Sequence, residues 1–142
     1  MTHWIALPIA LLALLAVPGH TQNPQPGAMP AFATVEPGQW FLKSRTSASG
    51  NRSVCVQDVR ALLQVVHGTA ACNRFVIANS ARETTVHYTC PGSGHGRTTI
   101  KVETARLIQI ESQGIVKQEP FAVEFEARRT GECKVAARAA LR

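Results

Sequence analysis

Three histidines, His67, His87 and His95, lie in a stretch of chain interspersed with arginine. Two imidazoles held side by side can divide acid and base duty in phosphodiester cleavage, the chemistry of a small secreted nuclease. Such a pair needs one shared face, and the spacing does not supply it. His67 falls at the end of an expected helix, where the dipole favours a histidine, and His87 alternates with Val86 and Tyr88 on an expected strand, facing solvent. The segment Pro91-Gly92-Ser93-Gly94-His95-Gly96-Arg97 suggests a second chemistry. Glycine-rich turns expose backbone amides and Arg97 can clamp an anion, which makes Gly94, Gly96 and Arg97 weak anion-site residues. The Lys-Ser/Thr ending and the following helix of a phosphate loop are missing, so the segment reads first as a strand connection in which glycine supplies positive φ. No set of nucleophile, base and orienting group can be drawn, nor paired carboxylates. No catalytic, cofactor-binding or metal-ligating residue is therefore assigned.

Four cysteines, Cys55, Cys72, Cys90 and Cys133, are widely spaced with no CxxC pair. An even set of this kind behind a secretory leader predicts two disulfides. Zinc would need ligands clustered on knuckles, and these are spread too far. Two pairings stand open. A hairpin turning about Ala81 sets Cys72 opposite Cys90 and leaves Cys55 for Cys133; alternatively Cys55 with Cys72 closes the helical excursion and Cys90 takes Cys133.

The elements that carry these residues are mostly strands. Residues 39–47, with Trp40 and Leu42 alternating against polar neighbours, and residues 52–56 predict an opening hairpin. Val59, Leu62, Leu63 and Val66 follow the i, i+3, i+4, i+7 pattern of one helical face, with Asp58 as the amino-terminal cap and Gly68 as the stop. That is a helix of about ten residues, the one convincing helix of the body. Residues 74–78 and 84–90 predict a second hairpin, and 98–104, 107–112 and 121–128 three further strands. The expected fold is mainly β (α+β): a twisted antiparallel sheet or half-barrel of about seven strands, one short helix on its apolar face, and two disulfides.

All fifteen Lys and Arg and all nine Asp and Glu residues lie from Glu36 onward. The uncharged leader contains an apolar run, 5–17, of signal-peptide length and too short to span a bilayer. Two cleavage positions compete, Val17-Pro18-Gly19 and Ala31-Phe32-Ala33, and the first is preferred. The organisation expected is a signal peptide over 1–19, a flexible tether over 20–35, a disulfide-stabilised domain over 36–133 and a basic tail over 134–142. In that tail Lys134, Arg138 and Arg142 recur every four residues. After processing no transmembrane anchor is expected.

The ordered set Pro37-Gly38-x-Trp40, Val54-Cys55-Val56 before a helix, Cys72, Cys90, Gly92-x-Gly94-x-Gly96 and Arg128-Arg129-x-Gly131-x-Cys133 resembles a bacterial family catalogued as domain of unknown function 3617. The resemblance covers 36–133 and implies a short secreted or periplasmic four-cysteine protein without an assigned activity. One departure is Gln57-Asp58, where the helix start of the family often reads Thr-Pro-Glu. A net charge of +6 predicts attraction to an anionic envelope component. Specific nucleic-acid binding is not expected, because Trp40 and Tyr88 belong in the core and leave no stacking platform. The expected function is that of a non-enzymatic extracytoplasmic binding domain. A small histidine-dependent hydrolase or nuclease and an inhibitor of a secreted hydrolase are the rival readings.

Overall fold

The computed structural model describes residues 27–47 and 50–134. Seven strands form one open sheet: β1 (Gly38–Ser44), β2 (Arg52–Val56), β3 (Asn73–Asn79), β4 (Glu83–Cys90), β5 (Gly94–Thr104), β6 (Leu107–Val116) and β7 (Glu119–Gly131). Their order is β2-β1-β7-β6-β5-β4-β3, antiparallel throughout. β3 to β7 are a meander of successive hairpins. The opening β1–β2 hairpin then adds to the far side of β7, so β1 pairs with the last of the described strands.

Period-two alternation decides the two faces. Trp40, Leu42, Val86, Tyr88, Ile100, Ile108, Ile110, Phe125 and Ala127 all point to the inner face and are buried. Between them and solvent lies a 3-10 helix, Val59–Gln64, packed on β5 and β2. Its Leu62 and Leu63 are buried in the core, each contributing about 1.5–3 kcal/mol in apolar area removed from water. The inner face is thus filled by side chains.

The expected helix of ten residues is six residues of 3-10 instead. Both end signals act as expected: Asp58 accepts a hydrogen bond from the Arg60 amide, and Gly68 takes a left-handed φ of 58°. Between them the chain has room for little more than two turns. Gln64 donates to the carbonyls of Gly68 and Ala70, folding the chain back at once, and β-branched Val65 and Val66 disfavour a longer helix. Hydrogen bonds of the i→i−3 kind, Ala61 to Asp58 and His67 to Gln64, tighten the segment.

The tether expected over 20–35 is corrected at its carboxyl end. Pro30–Phe32 form a 3-10 turn, and Ala31, Phe32 and Val35 belong to the core. The first twenty-six residues, which include the 5–17 apolar run and the Val17-Pro18-Gly19 position, lie outside the described residues, as do Arg138 and Arg142. Among the described residues no helix is long and apolar enough to cross a membrane.

Both disulfides form, Cys55–Cys133 and Cys72–Cys90, the pairing implied by a turn about Ala81. The first ties edge strand β2 to the end of β7, and the second bridges the β3–β4 hairpin at its open end. Two intact disulfides indicate an oxidising, extracytoplasmic location.

Candidate functional site

The three histidines separate by face. His67 is buried on the inner side, with Nε2 and Nδ1 each 3.1 Å from a partner, the Ile115 carbonyl oxygen and the Tyr88 hydroxyl respectively. A carbonyl only accepts, so in the neutral ring Nε2 donates to it and Nδ1 accepts from Tyr88. Tyr88 and Phe121 meet the ring edge-on. His67 is therefore a satisfied core group, on the opposite face of the sheet from the other two imidazoles. Burial pushes the Tyr88 phenol up from its ordinary value, opposed by hydrogen bonds to Ser112 and Thr98.

Gly96 has its explanation in the same place. A Cβ there would lie 2.5 Å from the Tyr88 hydroxyl oxygen and 2.6 Å from the ring. Gly94 has a φ of 117°, and a Cβ on it would lie 2.0 Å from the Ile115 carbonyl oxygen. Both belong to β5 and take part in its ladders with β4 and β6. Their amides are engaged in strand pairing, so of the three expected anion-site residues Arg97 alone presents a free polar group.

Arg97 stands on the outer face, and there the fold brings it to His87 and His95. His87 pairs with Arg97 across β4–β5, and His95 sits diagonally from His87 with ring centroids 5.9 Å apart and planes inclined by 34°. All three are exposed. With Gly96, Gln113 and Ile115 they line a shallow depression of about 420 Å³. Gly96 and Gly114, which face each other across β5–β6, contribute backbone to its lining. Arg97 also borders a neighbouring depression of about 330 Å³, in which Glu111 and Glu124 take part.

Strand register lays the outer face out in rows. One runs Phe75, His87, Arg97, Gln113, Ala122, and the next Asn73, Thr89, His95, Ile115, Pro120. These two rows hold one guanidinium and two imidazoles, and no carboxylate. The glutamates begin a row further on, with Glu111 opposite Glu124, and beyond them Glu126 pairs with Arg128. The Arg128 hydrogen bond holds the Glu126 carboxyl below the usual carboxylate range.

Chemically the His87–His95–Arg97 corner offers donors and positive charge to an anion. Among the described residues, neither imidazole is held by a carboxylate and no hydroxyl is hydrogen-bonded to them, so a nucleophile and its base are not assembled. No group of three or more His, Cys, Asp or Glu side chains among those residues has metal-holding geometry. The sequence reading did not single out Phe75 and Gln113. The Ala81 turn carried the signal for Phe75, since it lies six residues before that turn and His87 six after. Comparison with family models, with curated proteins and with solved structures finds no match.

Proposed function

We propose that this chain is a small non-enzymatic binding domain of the cell envelope, periplasmic or secreted, that holds an anionic envelope component on the outer face of its sheet. The observation that carries the reading is the cluster of His87, His95 and Arg97 over two rows without a carboxylate, on a protein of net charge +6. The filled inner face supports an exterior site over a cavity. Membership of the family of domain of unknown function 3617 is part of this proposal and rests on the ordered motifs from Pro37 to Cys133. Burial of Ala31 and Phe32 supports signal cleavage at 17–19, because cutting at 31–33 would strip both from the core.

Heparin serves as a soluble polyanion for the test. The wild-type protein is expected to bind it with affinity that falls as salt rises, and Arg97→Glu should lower the slope of log affinity against log salt by about 1. Binding that ignores salt, or an Arg97→Glu variant that binds as wild type, overturns the reading.

A further inference from the structure

The outer face is polarised, and its cationic corner carries the most exposed large apolar side chain among the described residues, Phe75, at 71 % relative exposure. Phe75 lies on β3, an edge strand of the sheet, directly opposite His87, which in turn faces Arg97. Strands lie about 4.8 Å apart, so an aromatic ring, an imidazole and a guanidinium stand in one row about 10 Å wide. The adjoining row adds His95 with half-buried Ile115 and exposed Pro120. The carboxylates of this face lie outside the two rows of that corner, and Glu111 and Glu124 come nearest, bordering the neighbouring depression with Arg97. Glu111 and Glu124 are on β6 and β7, three and four strands from Phe75, and Glu83, four residues along β4 from His87, faces Lys101. Lys117 and Glu119 oppose each other in charge at the β6–β7 turn.

We propose that this corner docks on an anionic lipid bilayer, with Phe75 entering the boundary between headgroups and acyl chains while His87, His95 and Arg97 contact headgroup phosphates. The inference rests on the anion-binding reading above and adds the source of the anion. A soluble polyanion would be served by the basic groups alone and would give Phe75 nothing to bury against. A bilayer surface satisfies both parts of the row, since interfacial binding combines buried apolar area with attraction to anionic lipid. Position on an edge strand lets the ring reach the bilayer without the rest of the sheet following it.

The full chain is to be sedimented with vesicles of mixed phosphatidylglycerol and phosphatidylcholine, and with vesicles of phosphatidylcholine alone. The latter measure whatever the apolar 5–17 segment contributes on an uncharged surface. Both side chains to be changed are exposed, and circular dichroism checks that each variant folds. The wild type should prefer the anionic vesicles. Phe75→Ser should weaken partition into them roughly tenfold, the effect of re-exposing about half an aromatic side chain, while heparin affinity stays unchanged. Arg97→Glu should weaken both. If Phe75→Ser partitions like the wild type while Arg97→Glu loses heparin, lipid docking is wrong and the anion-binding reading stands. If the wild type binds neither anionic vesicles nor heparin, both fall.

Discussion

Tyr88 shows how single residues keep the two faces of this sheet distinct. Its ring fills the space that Gly96 leaves open, and its hydroxyl meets His67 on the inner side. With the phenol pushed above its ordinary value of 10.0 by burial, the native state holds a proton that the unfolded chain has lost once pH exceeds about 10. Stability tied to this group is therefore fully present below pH 10 and declines as pH rises from there through the folded-state value. Chemical denaturation across pH 8 to 11 should show this decline in the wild type and a flatter limb in Tyr88→Phe, which carries a separate constant cost of about 1–3 kcal/mol for the donor lost to His67. Equal alkaline slopes would contradict the assignment. Sequence alternation was enough to send Tyr88 inward and His87 outward. It could not place His67, because a buried histidine with two polar partners and a dipole-favoured histidine at a helix end look alike until the strands supplying Tyr88 and Ile115 are positioned.

At the scale of elements, all seven strands were legible from alternation and turn residues, with ends displaced by a few residues. Residues 39–47 stop at Ser44, where Asn51 accepts from its amide, and 98–104 begins earlier at Gly94 because glycine permits the close β5–β6 approach. The 3-10 helix was misjudged in length for a definite reason: over so short a segment the apolar spacing does not separate 3.0 from 3.6 residues per turn, and the local bonds from the Gln64 side chain to the Gly68 and Ala70 carbonyls leave no mark in that spacing. The Pro30–Phe32 turn was hidden in a polar, proline-rich stretch whose composition resembles a linker. Its Phe32 is buried against the core, so Phe32→Ala should cost about 3 kcal/mol of unfolding free energy. A change under about 1 kcal/mol by denaturant titration would make this turn peripheral rather than part of the domain.

For the molecule as a whole, strand order escaped the sequence because nothing local says that β1 returns to β7. Cys55 and Cys133 carried the one long-range hint, as a bond between them must bring the two ends of the sheet domain together. The Cys55–Cys133 link spans 78 residues and Cys72–Cys90 spans 18, so loop-closure entropy favours the longer by about 1 kcal/mol, roughly 4 against 3. Replacing both cysteines of the longer link by alanine should lower the unfolding midpoint more than the same change in the shorter. The reverse order would mean that the hairpin, not the β1–β7 closure, is the weaker part of the fold. Charge was legible as a total and not as a pattern, since the separation of His87, His95 and Arg97 from the glutamates exists only once five strands are in register. The most direct measurement is therefore a map of amide chemical shifts while isotope-labelled protein is titrated with a short heparin fragment. Changes concentrated at His87, His95, Arg97 and Gln113 are predicted; changes centred instead on Lys43, Lys101 and Arg128, or none at all, would contradict an anion-binding corner on this face.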